Sequence, residues 1–185
     1  MGTSEIITLI ISSSVLSAIL TGFVNFRIQN LNYKREYYKK LIERRIDAQE
    51  QILSLSNELR IQVKLDEGAL CNRICATGEK HYESFSLLLA SSVNISFWLS
   101  SKLSDILLDF NIFLLNQITH EIKGEEQNER DRCLIDLGLL YNEKLRDYRK
   151  KIEQQLMNDF ADLDNVRSFV KSKHKTNDKL YWLKK

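Results

Sequence analysis

IITLIISSSVLSAILTGFVNF, residues 6–26, is the stretch on which the reading of this chain turns. It has no charged side chain, and twelve of its 21 residues are Ile, Leu, Val or Phe. At about 1.5 Å per residue a helix of this length spans roughly 31 Å, close to the ~30 Å hydrocarbon core of a bilayer. Each of the large apolar residues near the centre favours insertion by roughly 0.3–0.6 kcal/mol, which outweighs the mild penalties of Ser, Thr and Asn25. A transmembrane helix over 6–26 is the expectation. A cleavable signal sequence fits poorly. The only charged side chain before the run is Glu5, where a basic region is required, and no small-x-small cleavage site follows. N-myristoylation fails as well, because Ile6 stands where that motif needs Ser or Thr.

Two features of this stretch are candidate functional sites. Ser14, Ala18 and Gly22 lie four apart, one small residue per turn on a single face. Small residues let two helix backbones approach closely in lipid, so these three form an expected helix-association face. Arg27, Lys34, Arg35, Lys39 and Lys40 follow the run, with Arg44 and Arg45 beyond them, against Glu36 and Glu43 alone. No Lys or Arg precedes it. This asymmetry predicts residues 1–5 outside and the C-terminal side in the cytoplasm. The five cations, Tyr33 and Tyr37 are then placed to meet anionic headgroups of the lipid bilayer, whereas Tyr38 is expected to pack inward in the helix that follows.

Beyond the run, composition favours helix. Pro is absent and Gly occurs six times in 185 residues. A chain without its strongest breakers is suited to long helices and poor in the turn chemistry of a β fold. Apolar residues at Leu41, Ile42, Ala48, Ile52, Leu55, Leu59 and Val63 predict a first helix from Leu31 to about Glu67, with Arg45 at an inward position. Gly68 and Gly78 bracket a short helical turn at Leu70–Ala76. A second helix is expected from about Glu79 to Lys123, its stripe running Phe85, Leu88, Ser92, Ile95, Leu99, Leu103, Ile106, Phe110, Phe113 and Ile118. A third is expected from about Glu125 to Leu163, with Leu134, Leu137, Tyr141, Leu145, Tyr148, Ile152, Leu156 and Phe160 inward. The fold class is thus all-α: a transmembrane helix followed by an antiparallel bundle of about three long helices over 27–163, and a basic tail at 164–185. Residues 84–101 lack charge as well, but eight of these 18 are Ser or Asn, and the one-sided pattern continues past Lys102, which reads as a bundle helix.

Little points to chemistry. Cys71 and Cys75 lie four apart, without the tight pairs of a structural zinc site, and read as ordinary thiols. An odd cysteine count argues against a disulfide framework and for a reducing compartment. Asp159, Asp162 and Asp164 lack the glycine turn of a calcium loop and read as a solvated helix end. No phosphate loop, nucleophile elbow or dinucleotide fingerprint is present, and neither enzyme activity nor a cofactor is expected. The tail carries Arg167, Lys171, Lys173, Lys175 and Lys179 among Phe169, Tyr181 and Trp182. It reads first as a solvated terminus, and second as a surface for nucleic acid or acidic protein.

The run at 6–26 followed by YKREYYKKLIERRI, residues 33–46, resembles the small single-span bacterial inner-membrane accessory or effector proteins of retron and other abortive-infection antiphage systems. The resemblance is one of architecture over about the first 60 residues. It implies a toxic or signalling membrane protein held in check until infection, and transfers no residue role. A membrane-perturbing effector with one span must assemble, so a homo-oligomer is expected. The residues alone imply an anchored helical interaction domain, and a non-toxic scaffold for a cytoplasmic protein partner stands as the alternative.

Overall fold

A computed structural model describes residues 2–66, 68–163, 165, 168 and 169, with only the backbone of 3–16. Apart from 165, 168 and 169, the expected basic tail lies outside the described residues. The chain divides into two compact units, Met1–Leu41 and Ile42–Lys185. The all-α expectation holds, with six α-helices and two three-residue strands among the described residues.

Helix α1 runs unbroken over Thr3–Arg60 and crosses the unit boundary. Among the described residues no helix is long and apolar enough to cross a membrane. The side chains of residues 3–16, and with them the first half of the expected span, lie outside the described residues.

In the second unit α1 buries Ala48, Ile52, Leu55 and Leu59, spaced four, three and four as one helix face requires. It ends at Arg60, about seven residues before the predicted stop. A hairpin of β1 (Gln62–Lys64) and β2 (Leu70–Asn72) follows, Val63 opposite Cys71. Gly68 turns this hairpin at φ +84°. Buried Asn72 fixes the junction. Its Nδ2 donates to the Leu59 carbonyl at 2.7 Å, and its Oδ1 accepts from the Ile74 N–H at 3.1 Å, capping the short helix α2 (Arg73–Ala76).

The second predicted helix is a helical hairpin, α3 (Glu79–Asn94) and α4 (Ser101–Gln117), joined through a 3-10 turn at Ile95–Trp98. The Phe85 and Phe110 rings meet edge-on at 6.2 Å, and the Tyr82 hydroxyl lies 2.9 Å from Thr119 Oγ1. In one straight helix those pairs would stand roughly 40–55 Å apart. Ser100 makes the reversal: its Oγ accepts from the Leu103 N–H at 3.2 Å as the N-cap of α4. The charge-free stretch 84–101 is therefore interrupted by the turn, with Phe85, Leu89, Ser92 and Leu99 in the core.

The third predicted helix is broken at Tyr141 into α5 (Gln127–Leu140) and α6 (Asn142–Ala161). Gly138 explains how α5 seats on α2. A Cβ there would overlap the Cys75 side chain and lie 2.8 Å from Cys71 Sγ. Asp131 on α5 accepts from the Glu79 N–H at 2.8 Å, supplying the cap that Gly78 lacks for α3. The core is completed by Leu103, Leu107, Phe110 and Leu114 of α4, Leu134 of α5, and Leu145, Ile152 and Leu156 of α6.

Candidate functional site

The first candidate lies within the first unit. From Ser17 to Lys40 every described side chain of α1 is exposed. That includes Phe23 at 57% and Phe26 at 65%, together with Ile19, Leu20, Val24, Ile28 and Leu31. These are large apolar residues left uncovered by their own unit, with Ala18, Thr21, Gly22 and Asn25 on the remaining face. Ala18 and Gly22 of the expected association face are exposed, and nothing lies within 4 Å of where a Gly22 Cβ would stand. The Ser14 side chain is outside the described residues. Arg27, Lys34, Arg35, Lys39 and Lys40 are all exposed. The Arg27 guanidinium lies 5.2 Å from the Phe23 ring centroid, so the first cation of the band folds back over the apolar run. Tyr38, expected to pack inward, is also exposed.

The second candidate is a polar cleft of about 320 Å³ in the second unit, lined by Arg45, Ser100, Lys102, Gln155, Asp159 and Phe169 among others. Arg45 of α1 is only 4% exposed. Its Nη1 donates to the Leu163 carbonyl at 2.8 Å and the Asp162 carbonyl at 3.5 Å, beyond the end of α6. The Phe169 ring covers the guanidinium at 4.5 Å. Burial pushes the Arg45 pKa below its ordinary value, and the charges of Asp159 and Asp162 offset part of that push. Asp159 is equally buried, at 4%. Its Oδ2 accepts from the Ser100 N–H at 3.0 Å and its Oδ1 from Gln155 Nε2 at 2.8 Å.

This cleft corrects the reading of Asp159 as part of a solvated helix end. Asp159 takes the inward position that periodicity assigned to Phe160, which is exposed; Asp162 is exposed and Asp164 is outside the described residues. One sequence signal pointed to the cleft: a charged residue, Arg45, on the buried side of a helix stripe.

Cys71 and Cys75 are buried free thiols and Cys133 is half-buried. Burial pushes the Cys75 thiol up to about 12, with Cys71 adding to the shift. Among the described residues no group of three or more His, Cys, Asp and Glu could hold a metal ion. His81 is half-buried, its Nε2 3.5 Å from Glu58 Oε2. Comparison with known proteins finds no match to a family model, to a curated protein or to a solved structure.

Proposed function

We propose that this chain is a non-enzymatic effector of the bacterial inner membrane. Residues 6–26 cross the bilayer with the N-terminus outside, and the helical unit from Ile42 lies in the cytoplasm. Activation perturbs the membrane through assembly of several anchors, as in antiphage abortive infection. The observation that carries this reading is the uncovered state of α1 from Ser17 to Lys40, apolar residues first and the cationic band after them. Lipid is the medium that rewards this order, hydrocarbon for Phe23 and Val24 and anionic headgroups for Arg27 and Lys34. One span cannot line an aqueous path, and the open space at Gly22 leaves room for a second helix backbone.

A scaffold that tethers a cytoplasmic protein is the second reading. It is favoured by the open groove of about 470 Å³ where Phe113, Tyr141 and Tyr148 stand beside Lys144. Rigid aromatics with a cation are the residue types that anchor protein partners.

Inducible expression of the whole chain and of residues 28–185 separates the readings, with growth, membrane potential and cell fractionation followed. The effector reading expects arrest and depolarisation from the whole chain and neither from the truncation. It also expects Ala18→Ile with Gly22→Ile to abolish both at unchanged membrane levels. A whole chain that fractionates with membranes and leaves growth and potential intact identifies the scaffold. Recovery of the whole chain in the soluble fraction would sink the anchor itself.

A further inference from the structure

The outward side of α4 carries three large apolar residues. Leu108, Ile112 and Leu115 are 46%, 47% and 43% exposed and follow one another at intervals of four and three, on one face. Beside Ile112 opens the groove of about 470 Å³ between α4 and α6, lined by Phe113, Tyr141 and Tyr148. The two helices run antiparallel: Tyr148 meets Phe110, Tyr141 meets Gln117, and Asp159 meets Ser100. Phe113 lies 5.4 Å from both tyrosine rings. The tyrosine hydroxyls are engaged within the chain, Tyr141 donating to Gln117 Oε1 at 3.0 Å and Tyr148 to the Asp109 carbonyl at 3.5 Å. What the groove leaves unmet is ring surface and the charges at its edges. Those charges differ by helix. Asp109 lines the groove from α4, with Asp105 one turn away on the same face; Lys144 lines it from α6. The Nζ atoms of Lys144 and Lys151 each lie 5.7 Å from the Tyr148 ring centroid. All four residues are exposed, and among the described residues none of them forms an ion pair. The α6 carboxylates Glu143 and Asp147 lie farther round the helix, about 100–140° from Tyr148 against about 40–60° for the two lysines.

We propose that this surface joins two copies of the chain, α4 of each copy lying against α6 of the other. The charge pattern selects that occupant. A partner of one sign would be repelled by one of the two helices, and a bilayer would have to desolvate Asp105 and Asp109. A second copy turned about a two-fold axis along the helices lays its acidic α4 over the basic α6, and its basic α6 over the acidic α4. Every contact then occurs twice. Leu108 and Ile112 of each copy cover the aromatic groove of the other, and a four–three spacing is the one helices use to pack on helices. Aromatic rings at the centre with charges at the rim are the anatomy of a specific protein contact. Every residue in it belongs to the second unit, so the contact goes beyond the membrane reading and does not depend on it. It gives to a second copy the groove that the scaffold reading gives to a different protein.

The test is sedimentation equilibrium of the full chain in detergent micelles. Every chain carries Ala18→Ile and Gly22→Ile, which remove the small-residue face of the N-terminal helix. With α4 and α6 intact, this parent should be dimeric. Reversing one side, either Asp105→Lys with Asp109→Lys or Lys144→Glu with Lys151→Glu, should weaken the dimer by about tenfold or more, because like charges then face each other twice. An equimolar mixture of the two reversed chains should recover the parent's affinity to within about threefold, since every contact again joins opposite charges. Each reversed chain should keep a cooperative melt, all four positions being exposed. Where one does not, Ile112→Ser decides, leaving the charges in place and weakening the dimer severalfold. Three results overturn the proposal: a monomeric parent, variants that dimerise as well as the parent, or a mixture no tighter than the reversed chains alone.

Discussion

Helix α1 meets two environments along one unbroken run. Up to Lys40 its described side chains are exposed, Phe23 and Phe26 along with Lys34 and Lys39. From Arg45 to Leu59 it feeds a closed core, with Ile52, Leu55 and Leu59 at 0% exposure. The helix itself is the same in both parts, as hydrogen bonding within the backbone dictates. What differs is whether the helix's own unit supplies a cover. In the second half α3 and α6 do so: Gln51 Nε2 donates to Ser91 Oγ at 2.9 Å, and Ser56 Oγ to Glu153 Oε1 at 3.0 Å. The lesson is that helicity is local, whereas burial has to be provided by something else.

The comparison breaks most sharply under truncation. Residues 42–185 alone should keep a cooperative melt and their helical circular dichroism, because the core belongs to the second unit. A truncated chain that is aggregated or molten would show that the first 41 residues support that core after all. The next largest effect is expected at Phe110, which is fully buried, stacks on Tyr148 at 4.8 Å and meets Phe85 edge-on. Phe110→Ala should cost about 3–5 kcal/mol in denaturant unfolding, whereas Phe23→Ala should leave the melt of the second unit untouched.

Gly138→Ala should cost less, about 1–3 kcal/mol by overpacking, because its Cβ must displace the Cys75 side chain. A neutral result there would mean that α5 slides on α2 freely.

The smallest effect concerns Glu153. Burial raises its pKa, but the hydrogen bonds from Arg60 at 2.7 Å and Ser56 outweigh that, together with the charges of Arg60 and Arg149, and the net shift is downward. A carboxyl with a lower pKa folded than unfolded stabilises the fold above its unfolded value. That contribution is lost as pH falls through the folded value, at the lower edge of the carboxylate range. Its partner Arg60 is 59% exposed, so solvent screens the pair and the contribution is on the order of 0.2–1 kcal/mol. Glu153→Gln should flatten the acid limb of the stability curve by that amount, measured from pH 6 downward.

How far the sequence carried this fold depends on the kind of signal. Periodicity at 3.6 placed Leu103, Phe110, Leu134, Leu145, Ile152 and Leu156 inward, and all six are buried. It set Ile106 inward and missed Leu107, which is fully buried while Ile106 is half-buried, an error of one residue on the same face. The reversal at Ile95–Ser100 was hidden because it uses neither Gly nor Pro. Serine serves equally on a helix surface and as an N-cap, and the Leu103 N–H bond to Ser100 Oγ shows which applies here. The hairpin after α1 did leave a trace: Ile61, Val63 and Leu65 alternate with Gln62, Lys64 and Asp66, a period of two over six residues. At the cleft, Arg45 was legible as an anomaly. Asp159 was not, since a carboxylate beside exposed Phe160 inverts the usual preference.

The reach of Arg45 to Leu163 has a consequence in time. Those residues are 118 positions apart, and Ser56 and Glu153 are 97 apart, whereas Gln51 and Ser91 are separated by only 40. At about 5–20 residues per second of synthesis, the α6 side of α1 waits roughly 5–25 s for its cover. During that interval a nascent chain presents Ile52, Leu55 and Leu59 together with the charge-free run at its N-terminus. The ribosome therefore delivers the N-terminal helix first and the α6 cover of its second half last, and whatever engages that helix meets a half-finished domain.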